Sequence, residues 1–414
     1  MSAGAGAAAG AAAAPDVATA RATGPGLSRV LLALFLGGLA FRAQVLMLGP
    51  LLPEIRDDLG ISNGAAGLLG SIPVFCMGAL APFGPVVGRW LGTRAAVALC
   101  IAAVIGFGML RAVVPGGVFA MAFTFGIGIG MGLVGPVFTM VVRGHAHGHP
   151  TAGTGAYVVG MIVGGSLAAA AVVPLAATLG GWRGAALAVS ALGFLSLAGW
   201  WWLAPHDHAD LAARPTLPRL PWRRSTGWKL GIMFGLQSVV FYGLVAWLVT
   251  VYRERGVALD AATGVLALFT SVGLVATIAV PIFADRLGTR RQQLVGASAL
   301  AILGMAGIAF GPAGGLGEPL VLASVLALGM GLGTYFPLVL TLPIDVADSP
   351  AEAGALAALM LLVGYAIAAA APAALGAVRD ATGSFEAVVL VLFGSAVLML
   401  PASFLLDPRH HGPG

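Results

Sequence analysis

Val30-Leu-Leu-Ala-Leu-Phe-Leu-Gly-Gly-Leu-Ala-Phe-Arg42-Ala-Gln44-Val-Leu-Met-Leu-Gly49-Pro50-Leu51-Leu52-Pro53 is an apolar run long enough to cross a bilayer, with a guanidinium in its middle. Counted from Val30, Arg42 lies roughly 18 Å along a helix that crosses a hydrocarbon core of about 30 Å. From that depth it does not readily snorkel to either surface. An Arg there costs about 2.5 to 3.5 kcal/mol on insertion scales, and more if it faces lipid. A paired carboxylate, backbone carbonyls, a water-filled cavity or an anionic ligand can offset that cost. The nearest carboxylates in sequence, Glu54, Asp57 and Asp58, come twelve or more residues later, and no later apolar run holds Asp or Glu in its interior. A substrate is therefore the leading candidate for the partner of Arg42.

Composition agrees with a membrane setting. The chain is 59% apolar and 9% charged with a mean hydropathy of +0.98, whereas soluble domains carry about a quarter charged residues. The formal charge of +5 does not imply nucleic acid, because the basic residues stand singly between apolar runs, the pattern of membrane orientation. Cys76 and Cys100 both fall in apolar runs and read as two buried thiols. Residues 1–27 form an Ala/Gly tail without the basic, apolar and cleavage-site order of a signal peptide, and are expected to be disordered and cytoplasmic.

Apolar runs of about 20 residues, punctuated by turns and charges, place spans at 30–53, 65–87, 95–114, 118–142, 152–178, 185–204, 229–252, 262–284, 292–310, 319–343, 353–378 and 387–406. The expected fold is an all-α integral membrane protein of twelve transmembrane helices. Its parts are the tail 1–27, a six-helix half 28–204, a Pro- and Arg-rich cytoplasmic linker 205–228, a second six-helix half 229–406 and a cytoplasmic tail 407–414. With both termini inside, fourteen basic residues are cytoplasmic and six are outside, with Arg42 left in the membrane; the positive-inside rule accepts that topology and rejects its inverse. The halves also repeat. A shift of 197 carries Arg56 onto Arg253, Gly67 onto Gly264 and Leu69 onto Leu266, and a shift of 201 carries Gly130, Gly132 and Pro136 onto Gly331, Gly333 and Pro337.

The loop after the eighth span reads Pro281-Ile-Phe-Ala-Asp285-Arg286-Leu-Gly288-Thr-Arg290-Arg291, and the loop after the second reads Gly84-Pro-Val-Val-Gly88-Arg89-Trp-Leu-Gly92-Thr-Arg94. With the parallel six-helix repeat, these loops resemble the cytoplasmic signature of the major facilitator superfamily. The resemblance implies a substrate site at mid-membrane between the halves, and gating by Asp285, Arg286, Arg290, Arg89 and Arg94. The first copy has Gly88 where the Asp is expected, so Asp285 carries the clasp. Arg42, Gly49-Pro50-Leu51-Leu52-Pro53, Glu54-Ile-Arg56, Met109-Leu-Arg111, Ala246-Trp247-Leu248 before Tyr252, and Gly331-Leu-Gly333-Thr-Tyr335-Phe336-Pro337-Leu338 are similar to the cyanate and 2-nitroimidazole transporter branch of that superfamily.

In that architecture Gln237, Phe241 and Tyr242 on the seventh span, Tyr335 on the tenth, and Tyr157 and Tyr365 on the fifth and eleventh surround Arg42 as the substrate-binding set. Gln44 is two residues from Arg42 and points to another face of the helix. Arg111, near the outer end of the third span, is expected to snorkel to headgroups. Gly126, Gly128, Gly130 and Gly132 read as close helix contacts. The alternating His145, His147 and His149 have no Cys partner or i, i+4 pair and read as a solvated loop.

The expectation is a secondary transporter, not an enzyme, in the bacterial plasma (inner) membrane. It is monomeric by the habit of the superfamily, with the lipid bilayer and a small-molecule substrate as partners and no cofactor, metal or nucleic acid. The solute is a small anion or strongly polar planar molecule such as cyanate, a small carboxylate or a nitro-heterocycle, moved by alternating access around Arg42. Uniport, exchange with another anion and a co-transported proton all remain open. The alternative within the superfamily is an exporter of apolar compounds in which Arg42 is structural.

Overall fold

A computed structural model describes residues 26–146, 149–206, 220–283 and 289–406. Fourteen α-helices follow one another in these stretches: α1 (Leu27–Leu46), α2 (Leu48–Leu59), α3 (Asn63–Ala79), α4 (Gly84–Leu91), α5 (Thr93–Val113), α6 (Gly117–His145), α7 (Pro150–Thr178), α8 (Trp182–Leu203), α9 (Ser225–Glu254), α10 (Leu259–Phe283), α11 (Arg290–Phe310), α12 (Pro319–Val346), α13 (Pro350–Thr382) and α14 (Phe385–Ala402). They make twelve spans when α3 and α4, bent by 46° at their junction, count as one. The first span also breaks, at Met47 between α1 and α2. Pro50 has no N–H to donate to the Leu46 carbonyl, so the regular ladder cannot pass that turn. Pro82 and Pro85 act alike at the bend before α4.

Ends are closed by local chemistry. Ser62, Ser349 and Ser384 accept from the first-turn amides of α3, α13 and α14, and Thr289 forms a reciprocal capping box with Gln292 at α11. An even number of spans puts both chain ends on one face, here the termini face; the loops at 60–62, 180–181, 256–258 and 383–384 lie on the far face.

The repeat read from sequence is also a repeat of contacts. A Cβ added at Gly132 would collide with the Cys76 carbonyl of α3, and one at Gly333 with the Gly273 carbonyl of α10. Gly130 and Gly331 do the same on the opposite helix faces, toward the Cys100 carbonyl of α5 and the Ala297 carbonyl of α11. Small residues thus let α6 and α12 lie between two neighbours in each half. Large apolar side chains such as Val118, Leu195 and Trp202 face outward, as a lipid-contacting surface requires. Cys76 and Cys100 are buried free thiols, as expected.

Candidate functional site

Where the halves meet at the level of Arg42 there is a cavity of about 50 Å³, room for several waters or one small solute. The first half contributes Arg42, Leu46 and Ile162; the second contributes Gln237 and Phe241 from α9, Phe269, Thr270 and Thr277 from α10, and Leu332 and Phe336 from α12. Gly273, Gly329 and Gly333 complete the wall where α10 and α12 approach most closely.

Arg42 is half-buried, and its partners come from the other half. Its guanidinium carbon lies 5.2 Å from the centre of the Phe241 ring, and Nη2 donates to the Tyr242 hydroxyl at 3.5 Å. Both partners are neutral, and among the described residues lining the cavity Arg42 is the only charged one. A guanidinium has five N–H donors, so most remain for a ligand. Gln237 is buried, with Oε1 accepting from Ser238 at 3.1 Å and Nε2 directed at the Leu332 carbonyl at 3.5 Å. Thr270 donates to the Leu266 and Ala267 carbonyls, and Thr277 to the Gly273 and Gly333 carbonyls at 2.8 and 3.0 Å. With its proton engaged there, each threonine oxygen can only accept from the cavity.

The expected aromatic set divides. Phe241 and Gln237 line the cavity, and Tyr242 touches Arg42. Tyr365 packs edge-on to Phe234 at 5.0 Å and lies within electrostatic range of both Arg42 and Tyr242. Tyr157 stacks on Phe138 at 5.0 Å, outside the cavity wall. Tyr335 requires correction: it is fully buried on the other side of α12, beside Ser403, while its neighbours Gly333 and Phe336 face the cavity. On a helix one position turns the side chain by about 100°. Phe269, Thr270, Thr277, Phe336 and Ile162 were not foreseen. A signal existed in α10, where Thr270, Gly273 and Thr277 fall at i, i+3 and i+7, a polar and small stripe on an otherwise apolar helix.

Arg111 also departs from expectation. It is 2% exposed and does not reach the headgroups. Nη2 donates to Gln44 Oε1 at 2.8 Å and lies 3.9 Å from Met47 Sδ, and Nη1 donates to Thr124 Oγ1 at 3.5 Å. Packing of α1, α6 and α8 around the end of α5 covers it. Gln44 faces away from the cavity, as its spacing from Arg42 requires.

Of the expected gating residues, Asp285 and Arg286 lie outside the described residues, as does His147 in the histidine loop. Arg290 pairs with Asp345 at 3.3 Å, tying the start of α11 to the end of α12. Arg94 contacts the Trp201 carbonyl and His206 and stacks 4.6 Å from the Trp201 ring. Arg89 is half-buried on α4.

On the far face the halves are joined. Asp380 at the end of α13 accepts from the Asn63 amide at 3.2 Å, Asn63 Nδ2 at 2.7 Å and the Gly64 amide at 2.8 Å, capping α3 from the other half. These are free first-turn donors at a positive helix end, so a carboxylate suits them. Below this cap the Ala373 amide donates to Ser71 at 3.2 Å, and Gly49 and Gly67 abut the Val245 and Pro372 carbonyls. The gap left among Val45, Leu48, Leu52, Tyr242 and Pro372 is about 10 Å³, at the lower limit for one water.

Residues 30–372 match the Major Facilitator Superfamily. The cyanate transport protein CynX of Escherichia coli is 30% identical over 356 residues, 86% of this chain and 91% of that protein. The 2-nitroimidazole transporter of Escherichia coli is 28% identical over 85% of this chain and 87% of that protein. The uncharacterized transporter YycB of Bacillus subtilis is 27% identical over 86% and 88%. Among solved structures, the nucleoside transporter NupG superposes with a TM-score of 0.73 over 91% of this chain and 98% of its own at 14% identity. A bacterial homolog of the human lysosomal transporter Spinster superposes at 0.72 over 92% and 96%, at 16% identity.

Proposed function

The chain belongs to the Major Facilitator Superfamily and is a transporter of small solutes, not an enzyme; on that premise we propose that its cargo is a small planar anion or strongly polar planar molecule held by Arg42 and carried by alternating access. The observation that carries the reading is the state of Arg42, a cation in a small cavity between the halves whose contacts are one ring face and one phenol. A guanidinium is flat and offers paired N–H groups, which suit cyanate, nitrite, a carboxylate or a nitro group. Phe241, Phe269 and Phe336 supply apolar walls against which such a solute lies flat. Two relatives are transporters named for cyanate and 2-nitroimidazole, solutes of this class.

The positive-inside rule supports assigning the termini face to the cytoplasm of a bacterial inner membrane. The far face, joined by Asp380, is then the outer gate, and rocking the halves apart there requires Asp380 to release α3. The loop motifs around Arg89, Arg94, Asp285, Arg286 and Arg290 act at the opposite gate by clasping helix ends. Uptake of a monoanion against an interior-negative potential costs about 2.3 kcal/mol per 100 mV. Uptake of an anion therefore needs exchange with another anion, a co-transported cation or a steep gradient.

The test is ligand-induced thermal stabilisation of purified protein, wild type beside Arg42→Ala, with cyanate, nitrite, nitrate, formate, 2-nitroimidazole and a cationic dye. Stabilisation by one of the planar solutes that disappears in Arg42→Ala is the expected result. Equal stabilisation of both proteins, or stabilisation by the dye alone, would overturn it in favour of an exporter of apolar compounds.

A further inference from the structure

Arg111 is a buried cation for which the transport reading has no use. Its guanidinium is bound to Gln44 Oε1, and the same amide donates through Nε2 to Ser190 Oγ at 2.9 Å, while Ser190 in turn donates to the Ala186 carbonyl at 2.7 Å. Both ends of the Gln44 amide are thus held, one by α5 and the other by α8. Gly108 leaves the space for this chain of contacts: a Cβ there would stand 2.6 Å from Ser190 Oγ and 2.8 Å from Gln44 Nε2.

We propose that Arg111 is a positioning residue, acting through Gln44 to set the rotation of α1 and thereby the aim of Arg42 into the cavity. This rests on Arg42 being the anion-binding residue. Residues two apart on a helix point about 200° from each other, so a tether on Gln44 directs Arg42 to the opposite side, where the cavity lies. Near the junction of α1 and α2 Pro50 removes one bond of the helical ladder, although Met47 keeps helical dihedrals and bonds back to Ala43. The Gln44 tether holds the rotation of α1 on the near side of that gap. On another flank Gly165 holds the backbone close, where a Cβ would meet Arg42 Cβ at 3.1 Å. With α7 against one side and the Arg111 tether on another, Arg42 has one direction left.

The choice of a cation follows from its location. Arg111 binds Gln44 in the last turn of α1 and touches Met47 just beyond it. Arg111 itself lies in the last turn of α5, and the C-terminal carbonyl end of a helix is its negative pole, so a positive charge is favoured there without a carboxylate. Lysine would keep the charge but cannot span Gln44 and Thr124 with two separate nitrogens.

The experiment measures binding and transport of whichever of cyanate, nitrite, nitrate and formate stabilises the wild-type protein most, using full-length protein. The variants are Gln44→Leu, Arg111→Lys, Arg111→Leu and the double Arg111→Leu/Gln44→Leu, with Arg42→Ala as reference. A positioning role predicts that Gln44→Leu and Arg111→Lys still melt cooperatively, bind the anion tenfold or more weakly, and raise KM to match while kcat changes less than threefold. The double variant is no worse than the weaker single, because both act along one path. Should Arg111→Leu fail to fold, Gln44→Leu and Gly108→Ala report on the same tether. Wild-type anion affinity and KM in Gln44→Leu, with binding lost in Arg42→Ala, would overturn the positioning role alone. Wild-type affinity in Arg42→Ala, or no stabilising anion, would overturn the reading of Arg42 itself.

Discussion

Arg42 and Arg111 sit in the same six-helix half, and neither has a carboxylate among the hydrogen-bond partners described for it. Arg42 presses one face on Phe241, touches Tyr242 across the interface between the halves, and turns its remaining donors to a cavity of about 50 Å³. Arg111 is enclosed within its own half by Gln44, Thr124 and Met47 and lines neither of the two cavities described above. The difference is one of placement: Arg42 lines the cavity between the halves, whereas Arg111 is held by polar side chains of its own half. On the proposed reading, that placement is what separates a ligand-binding cation from a positioning one. The halves are unequal in this respect, since the repeat shift of 197 carries Arg42 onto Val239, an aliphatic residue.

The largest effect expected is on Arg42. Arg42→Ala should lower flux in proteoliposomes by about two orders of magnitude, the worth of a charged hydrogen-bonding group, while its melting temperature holds or rises because an unpaired charge is removed. Arg42→Lys should transport far below wild type although the charge is kept. Wild-type flux in either variant would erase the distinction between the two arginines. The reverse pattern is expected at Arg111. Arg111→Leu strands the Gln44 carbonyl oxygen and should destabilise by about 1 to 3 kcal/mol, with part of that recovered in Arg111→Leu/Gln44→Leu, where both partners become apolar. Thermal or denaturant melting measures it, and an undiminished melting temperature in the single variant would remove Arg111 from the scaffold.

A third test leaves the arginine layer for the far-face seal. Asp380→Ala removes three hydrogen bonds that cross between the halves and should favour opening there by about tenfold. Labelling of an Ala66→Cys reporter, buried in the seam, by a membrane-impermeant maleimide should accelerate accordingly, and an unchanged labelling rate would show that apolar packing alone holds the seal. The smallest effect separates two tyrosines. Tyr242→Phe loses a 3.5 Å contact to Arg42 and should shift KM about twofold to fivefold. Tyr335→Phe, on the far side of α12, should leave KM unchanged, and a larger KM shift there would reverse their assignment.

How much of this was legible in advance depended on what kind of fact each feature is. The spans and the paired glycines of α6 and α12 are periodic facts, and sequence periodicity reports them directly, whereas the break at Met47 falls inside a run read as one span. The depth of Arg42 was legible because it is a count along one helix. The burial of Arg111 was not, because its position near a helix end says nothing about which helices cover that end. Tyr335 was misplaced by one helical position relative to Phe336, since an all-apolar span gives no polar face from which to set its rotation. Nothing in the sequence singles out Asp380; only the approach of α13 to the first turn of α3 makes it a cap from the other half.

The amino-acid sequence by itself determined that this chain spans a membrane twelve times in two repeated sixes, with one guanidinium at mid-depth. Hydrophobic runs, turn residues and their spacing act within single helices or between copies, and bilayer thickness converts them to lengths. Tertiary structure alone decided which neighbours meet that guanidinium, that a second arginine is locked behind it through Gln44, and that Asp380 joins the halves on the far face. Those facts depend on helix rotation and on contacts between residues 67 to 317 positions apart. In an apolar chain the bilayer leaves rotation unspecified, and it is set by which small residues and polar side chains find partners when the helices pack.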